Sequence, residues 1–110
     1  KRHVPFEISR VYWIYDVPGG ESRGSHAYRE LQEVIIALSG SFEVMLDDGM
    51  AQKIITLNRA YYGLYVPNML WRRMQNFSTN AVALVLASRP YSIKDYIRDY
   101  SEFQRNNKQR

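Results

Sequence analysis

The 110-residue chain contains no cysteine, so disulfide bonds, thiolate metal sites and cysteine nucleophiles are excluded. No apolar run approaches the roughly 20 residues that a membrane-spanning helix needs, and no signal-peptide pattern opens the chain. Histidine is scarce, since the chain has only two, His3 and His26. We therefore expect a soluble cytoplasmic protein without a membrane partner, and a site that uses few imidazole groups.

Acidic residues are outnumbered by basic ones, 11 to 15, and the formal net charge is +4. Five of the basic residues lie in terminal segments that contain no acid: Lys1, Arg2, Arg105, Lys108 and Arg110. The rest of the chain is therefore close to neutral. Because nucleic-acid-binding domains concentrate basic residues on a folded surface, this distribution argues against nucleic acid as a partner.

Length and composition indicate a single globular domain. Hydrophobic residues make up 45% of the chain and aromatic residues 14%, which is too much for a disordered protein, and the chain is long enough for one core. We predict one domain over residues 1–104 and a polar basic tail over residues 105–110. The segment before Arg10 is expected to be a lead-in, and His3 within it is assigned no function.

Short apolar runs separated by turn residues indicate an all-β protein. The segment RVYWIYDV (10–17) is rich in aromatic and β-branched residues. A period-two pattern places Phe42, Val44 and Leu46 on one face of a strand, and Asp48-Gly49 after it predicts a type I′ hairpin turn. Strands that are this short and evenly spaced predict a sandwich or a barrel.

The C-terminal segment departs from this pattern. Ser92 fits an N-cap with Asp95 three residues later, and Tyr96, Tyr100 and Phe103 follow at helical spacing. We predict one short helix here, packed on the outside of the β-structure.

A first motif is formed by Gly20, His26, Tyr28, Glu33 and Gly40. These intervals resemble the first cupin motif, in which Gly, His-x-His, Glu and Gly stand at the same positions. Residues two apart on a strand point to the same side, so His26 and Tyr28 share one face.

A second motif follows on a later hairpin. Pro67, Arg72 and Asn76 stand at the intervals of the second cupin motif, with Met69 in place of its usual glycine. Residues 26, 28, 33 and 72 would then come from three strands and meet in the mouth of a small barrel, where such barrels hold their ligands.

The residue types argue against a metal ion at this position. Metal-binding cupins hold the ion with three histidines and a glutamate, but here Tyr28 and Arg72 replace two of the histidines. Arginine has no lone pair for a metal, and its charge repels a cation. Because His26 and Glu33 alone are too few ligands, we expect no metal ion and no other cofactor.

Beyond these motifs, nearly the whole chain, from Pro5 to Phe103, resembles the WxcM-like sugar-nucleotide 3,4-ketoisomerases. The resemblance rests on four segments: PFEISRVYWIYDVPGGESRGSHAYRELQEVIIALSGSFEVMLDDG, ITLNRAYYGLYVPNMLWRRMQNFS, ALVLAS and DYIRDYSEF. It implies a cupin-type β-barrel (jelly roll) with one short C-terminal helix. It also implies a homodimer that acts on dTDP-4-keto-6-deoxyglucose and makes precursors of deoxyamino sugars for surface polysaccharides.

The chain departs from the family in two places. Family members carry a second histidine where this chain has Tyr28, and the histidine pair supplies the acid–base chemistry. They also usually begin with a further strand before the point where this chain starts, and that segment contributes to their active site.

The expected reaction can also be argued from the residues. Moving a ketone from C4 to C3 requires removal of the acidic C3 proton, an enediol, and reprotonation at C4, without a redox cofactor. We expect His26 to be the acid–base group, because the unperturbed pKa of histidine is about 6.5. Tyr28 is expected to donate a hydrogen bond to the enediolate oxygen or to pass a proton.

Four further residues are candidates for substrate binding. Arg72 is expected to bind the diphosphate or to stabilise the oxyanion, and Arg23 is a second phosphate candidate. Glu33 would orient His26 or contact a sugar hydroxyl. Tyr65 belongs to an aromatic set in which one or two rings are expected to stack on a thymine base, while the others form core or a dimer interface.

Structural roles stay open for the same residues. His26 could be a hydrogen-bonded strand histidine, Tyr28 could fill the barrel, Arg72 could form an exposed pair with Arg73, and Glu33 could pair with an arginine.

Two other functions of the protein also stay open. One is 3,5-epimerisation of the same substrate class, and the other is a non-catalytic cupin that binds a sugar nucleotide.

Overall fold

The computed structural model describes residues 4–108, and within this range the chain forms nine strands and one α-helix. The elements are β1 (Arg10–Tyr15), β2 (Arg23–Tyr28), β3 (Glu33–Ser39), β4 (Phe42–Asp47), β5 (Gln52–Leu57), β6 (Leu64–Val66), β7 (Trp71–Gln75), β8 (Val82–Ala87), β9 (Tyr96–Ile97) and α1 (Tyr100–Lys108). His3, expected in the lead-in, lies outside the described residues. The predicted all-β class with one C-terminal helix is confirmed.

The strands form two antiparallel sheets that enclose one core. The first sheet has the order β1-β8-β3-β6, and the second has the order β5-β4-β7-β2-β9. Both sheets contribute to the main core, for example Ile35 and Val85 from the first and Val44 and Met74 from the second. This two-sheet arrangement agrees with the cupin-type jelly roll that the sequence predicted.

Strand β4 follows the predicted alternation and adds a second buried face. Phe42 and Val44 point into the main core, as the period-two pattern requires. Met45 is buried as well, in a smaller cluster with Trp71 and Phe103 on the other side of the sheet. Helix α1 covers that side, so the prediction that the helix packs outside the β-structure is confirmed.

The hairpin between β4 and β5 is present, but its turn differs from the predicted type I′. A type I′ turn needs a positive φ at both central residues, and only Gly49 of the Asp48-Gly49 pair has one, at 99°. The loop instead spans four residues, because one side-chain oxygen of Asp48 accepts the amide hydrogens of Met50 and Ala51 at 2.9 Å.

The C-terminal helix begins later than the sequence predicted. Ser92 precedes only a short 3-10 turn (Ile93–Asp95) and makes no side-chain capping hydrogen bond. Tyr96 lies on strand β9, and α1 starts at Tyr100 and runs to Lys108, into the segment predicted as a polar tail. The predicted helical face from Tyr96 to Phe103 is therefore wrong at its first residue. Pairing of β9 with β2 overrides the local helical spacing.

The backbone conformation at Met69 explains why this position of the second motif is usually glycine. Its backbone has a φ of 60°, in the left-handed region that glycine adopts at low cost. Its amide donates to the carbonyl oxygen of Tyr28 at 2.7 Å, which ties the loop before β7 to the end of β2.

Among residues 4–108, no helix is both long and apolar enough to cross a membrane.

Candidate active site

Three strands bring four of the candidate residues together between the sheets. His26 and Tyr28 lie on β2, Glu33 begins β3 and Arg72 lies on β7. Strands β2 and β7 are neighbours, and His26 is the register partner of Arg72. All four residues are buried, with exposed fractions of 8% for His26, 4% for Tyr28 and 1% each for Glu33 and Arg72.

Arg72 and Glu33 form a two-pronged ion pair across the two sheets. The Nε atom of Arg72 donates to Oε1 of Glu33 at 3.0 Å, and Nη2 donates to Oε2 at 2.8 Å. The hydroxyl of Tyr12 on β1 completes the cluster by donating to Oε2 of Glu33 at 3.1 Å. This geometry satisfies both carboxylate oxygens, which a buried ion pair needs to offset its desolvation.

The third nitrogen of Arg72 explains the glycine at position 24, between the first glycine of the motif and His26. Nη1 donates to the carbonyl oxygen of Gly24 at 3.0 Å. A Cβ atom at position 24 would lie 1.9 Å from that nitrogen, and Gly24 has a φ of 69°. The glycine of the RGSHA segment is therefore required by this close approach and by its backbone conformation.

These contacts bear on the predicted role of Arg72. All three of its nitrogens donate to protein acceptors, and its side chain is almost fully buried. Burial alone would lower the pKa of Arg72, but the carboxylate of Glu33 and the phenol of Tyr12 raise it above its ordinary value. The structure therefore favours a fixed positive charge inside the protein over a ligand for an exposed diphosphate. Glu33 is the counter-ion of Arg72, which is the structural role that the sequence left open for it.

Beside the ion pair lies an aromatic triangle of His26, Tyr28 and Tyr96. The ring centroids of His26 are 4.7 Å from Tyr28 and 4.8 Å from Tyr96, and those of the two tyrosines are 4.7 Å apart. The hydroxyl of Tyr28 donates to the hydroxyl of Tyr96 at 3.3 Å. Nε2 of His26 is buried, and within residues 4–108 it has no hydrogen-bond partner.

The environment holds His26 in its neutral form. Burial, followed by the positive charges of Arg72 and Arg98, lowers the pKa of His26 from 6.5 to about 2. The unperturbed pKa of about 6.5, on which the predicted acid–base role was based, therefore does not apply to His26 in this structure. At neutral pH the ring is an uncharged group whose Nε2 has no hydrogen-bond partner among residues 4–108.

Tyr28 is held in its protonated form. Burial, and then the negative charge of Glu33, raises the pKa of Tyr28 above its ordinary value of 10. The guanidinium carbon of Arg72 lies 5.8 Å from the centre of its ring. The phenol is therefore a hydrogen-bond donor throughout the physiological pH range, and not a base.

Two arginines near the triangle were missed by the sequence analysis. The guanidinium of Arg98 lies over the ring of Tyr96 at 4.3 Å, and that of Arg10 lies over the ring of Tyr12 at 4.6 Å. Neither forms a salt bridge within residues 4–108. No local motif marks them, because Arg10 comes from β1 and Arg98 directly follows β9, far apart in sequence.

The two remaining candidates lie outside this cluster. Arg23 is at the exposed start of β2, where it donates to the carbonyl oxygen of Ser22 and lies 3.6 Å from the carboxylate of Glu21. Tyr65 is the register partner of Val34, and both point to the outer face of the four-stranded sheet. Glu33 precedes Val34 on β3 and therefore points inward. Alternation along the strand thus places Tyr65 on the opposite side of the sheet from His26.

Tyr65 instead borders a separate surface cavity. The cavity has a volume of about 430 Å³ and is lined by residues that include Val34, Ile36, Tyr61 and Tyr62. The hydroxyl of Tyr65 donates to the side-chain oxygen of Gln32 at 2.7 Å.

Metal-ligating residues do not cluster in the described range. Within residues 4–108, no three His, Cys, Asp or Glu side chains lie close enough together to hold a metal ion. His26 and Glu33 are both near Arg72, and the guanidinium occupies the acceptor oxygens of Glu33. The donor set around His26 therefore does not fit the metal that many cupins carry.

Known proteins resemble this chain over nearly its whole length. The family model described as FdtA, WxcM-like, C-terminal, matches residues 1–108. A curated relative, the TDP-4-oxo-6-deoxy-alpha-D-glucose-3,4-oxoisomerase of Aneurinibacillus thermoaerophilus, is 45% identical over 104 residues, which cover 94% of this chain and 75% of the relative.

Solved structures of similar sequence share the fold. A 3,4-ketoisomerase from Helicobacter canadensis is 48% identical, with a TM-score of 0.92 over 96% of this chain and 79% of the other. A mutant of the 3,4-ketoisomerase QdtA from Thermoanaerobacterium thermosaccharolyticum, in complex with TDP-4-keto-6-deoxyglucose, is 40% identical, with a TM-score of 0.95 over 97% of this chain and 78% of the other. The sugar epimerase NovW is only 14% identical, so its TM-score of 0.73 indicates a shared fold alone.

Proposed function

The chain belongs to the WxcM-like family, and on this premise we propose that it is a 3,4-ketoisomerase of a TDP-linked 4-keto-6-deoxyhexose. The observation that carries the proposal is the pairing of two buried groups beside a fixed guanidinium: a neutral His26, whose Nε2 has no hydrogen-bond partner in the part of the chain that the structure describes, and the protonated phenol of Tyr28. A base can remove the proton next to a ketone, and a hydrogen-bond donor and a positive charge can stabilise the negative charge that develops on the oxygen.

The proton transfers balance without an external oxidant or reductant. Nε2 of His26 removes the C3 proton, and the C–H electron pair forms the C3–C4 double bond while the C4 carbonyl oxygen becomes an enolate. Tyr28 donates a hydrogen bond to that oxygen, and the charge of Arg72 stabilises it through space. The proton of the C3 hydroxyl then passes to the C4 oxygen, and the protonated His26 returns its proton to C4, which leaves the ketone at C3 and a hydroxyl at C4.

Tyr28 takes over only part of what a second histidine would do. A histidine can accept and donate protons near neutral pH, whereas a buried tyrosine with a raised pKa can only donate. His26 is therefore the base that the aromatic triangle offers, and Tyr28 holds the developing oxyanion.

An anionic substrate fits the charge around the site. Arg98 is close enough to His26 to lower its pKa, Arg10 has a buried nitrogen without a hydrogen-bond partner in the described range, and Arg23 is exposed at the start of the same strand as His26. A diphosphate bound by such residues would offset part of the positive charge that depresses the pKa of His26. The base would then become stronger when the substrate is in place.

We also propose that the protein acts as a homodimer in the cytoplasm. Strand β1 places Val11, Trp13 and Tyr15 on the outer face of the four-stranded sheet, with exposed fractions of 42%, 54% and 63%. A patch of large apolar side chains on one sheet face is typical of a self-association surface. Sedimentation of the protein and of Trp13→Glu tests this: the parent should sediment as a dimer and the variant as a monomer.

One observation favours a second candidate, a non-catalytic sugar-nucleotide-binding protein. The family's second histidine is replaced by Tyr28, which cannot act as a base. This alternative predicts ligand binding without proton exchange, so it is separated from the first by the same experiment.

The experiment is incubation with TDP-4-keto-6-deoxyglucose in D₂O, followed by proton NMR of the sugar. Loss of the C3 proton signal with a new 3-keto species supports the ketoisomerase. Exchange at C3 and C5 without ketone migration would instead indicate an epimerase. Broadened ligand signals without any exchange would contradict both enzymatic functions and leave a binding protein.

A further inference from the structure

Tyr96 completes the aromatic triangle although it lies 68 residues after Tyr28 in the chain. It sits on the two-residue strand β9, where it is the register partner of Tyr28. Its hydroxyl accepts the hydrogen bond of Tyr28, and its ring packs against His26. Tyr96 therefore contacts both groups to which the reaction is assigned, without belonging to either motif.

The position of Tyr96 is fixed by contacts on both sides. The carboxylate of Asp95 accepts the amide hydrogens of Glu30 at 2.8 Å and Leu31 at 3.1 Å, which locks the segment before β9 to the turn after β2. The guanidinium of Arg98 covers the ring of Tyr96 at 4.3 Å. A tyrosine held in this way orders any group that its hydroxyl contacts.

A pair of hydroxyls has a property that a single phenol lacks. Each hydroxyl can donate one hydrogen bond and accept others, so either member of the pair can be the donor. When Tyr96 donates to the oxygen of Tyr28, the proton of Tyr28 is released toward the space beside His26. When Tyr28 donates to Tyr96, the hydroxyl proton of Tyr28 points to the oxygen of Tyr96 and is not free for a substrate.

We propose that Tyr96 is a positioning residue for the ketoisomerase reaction, because its hydroxyl orients the hydroxyl of Tyr28 toward the substrate oxygen. The inference rests on the proposed function and extends it to a residue outside both cupin motifs. It explains how a tyrosine can serve at position 28, since the second phenol directs a donor that would otherwise rotate freely.

The test is the steady-state kinetics of Tyr96→Phe, which keeps the ring contacts with His26 and Arg98 but removes the hydroxyl. We expect kcat to fall by roughly tenfold, in the lower range of acid–base contributions, while KM changes less than about threefold. Tyr91→Phe is the matched control: its exposed ring lies 5.5 Å from that of Tyr96, and it should keep the parental kcat.

The double variant Tyr28→Phe/Tyr96→Phe separates positioning from a structural effect. If Tyr96 acts through Tyr28, the double variant should be no slower than Tyr28→Phe alone, because the hydroxyl to be oriented is already absent. Two independent losses that multiply would overturn the proposal, as would a Tyr96→Phe variant with parental kcat. An inert parent protein would instead refute the proposed function itself, and with it this inference.

Discussion

Two clusters lie side by side where strands β2 and β7 pair, and they are built in opposite ways. The cluster of Arg72, Glu33 and Tyr12 is saturated, since every nitrogen of the guanidinium and both carboxylate oxygens have partners. In the adjacent triangle of His26, Tyr28 and Tyr96, Nε2 of His26 finds no hydrogen-bond partner among the described residues. A saturated buried network adds rigidity, whereas an unpartnered buried group costs stability unless a ligand uses it. The first cluster is thus assigned to holding the site, and the second to chemistry.

The largest expected effect on stability comes from breaking the saturated cluster. Glu33→Gln would leave the guanidinium of Arg72 buried without a counter-ion, which costs roughly 3–5 kcal/mol of unfolding free energy. Urea denaturation measures this loss. Glu30→Gln is the control, because Glu30 pairs with Arg89 on the surface, where such pairs contribute roughly 0–1 kcal/mol. Equal losses in the two variants would contradict the division between clusters.

Removing the hydroxyl of Tyr28 should affect catalysis more than stability. Tyr28→Phe keeps the ring and is expected to lower kcat by roughly tenfold to a hundredfold, while the lost hydroxyl contact costs about 1 kcal/mol of folding free energy. Kinetics and denaturation of the same preparation measure both. Tyr28→His is the companion variant: if it is inert while the parent turns over, tyrosine is a working residue. A Tyr28→Phe variant with parental kcat would place the phenol outside the reaction.

Two glycines provide a matched test of how closely Arg72 packs against residue 24. Gly24→Ala places a methyl group 1.9 Å from Nη1 of Arg72 at a φ of 69°, and is expected to cost about 1–3 kcal/mol of unfolding free energy. Gly19→Ala has no atom within 4 Å of its new methyl group and should change stability little. Thermal unfolding of the two variants side by side measures the difference. Similar melting temperatures would show that the approach of Arg72 to residue 24 is not tight.

Stability should also depend on pH because of the depressed pKa of His26. The unfolded chain binds a proton at His26 below about pH 6.5, but the folded protein does so only near pH 2, so stability falls as the pH decreases through this window. The slope attributable to His26 is at most about 1.4 kcal/mol per pH unit. Denaturation of the parent and of His26→Asn between pH 6.5 and 4.5 should show a shallower slope in the variant. Parallel slopes would mean that His26 titrates normally in the fold.

Much of the architecture could be predicted because its signals are local. The alternation of Phe42 and Val44 and the two-residue spacing of His26 and Tyr28 follow from strand geometry, and they led to the correct faces. The intervals of the two motifs also placed Glu33 and Arg72 near each other. These are patterns that a strand imposes on its own sequence.

The parts that were missed depend on contacts between distant segments. Tyr96 has helical spacing to Tyr100, and only the pairing of β9 with β2 moves it into the site. The role of Arg72 depends on three acceptors from three separate strands, and the pKa of His26 depends on burial. Neither burial nor cross-sheet pairing can be read from residue spacing.

The most direct test of His26 as the base of the site is the rate of C3 proton exchange catalysed by His26→Asn in D₂O with TDP-4-keto-6-deoxyglucose. The parent protein should exchange the C3 proton, and the variant should lose this exchange by a factor of roughly 10²–10⁴ while it still binds TDP. Exchange at the parental rate in the variant would show that another group removes the proton. It would contradict the assignment of His26 as the base of the site.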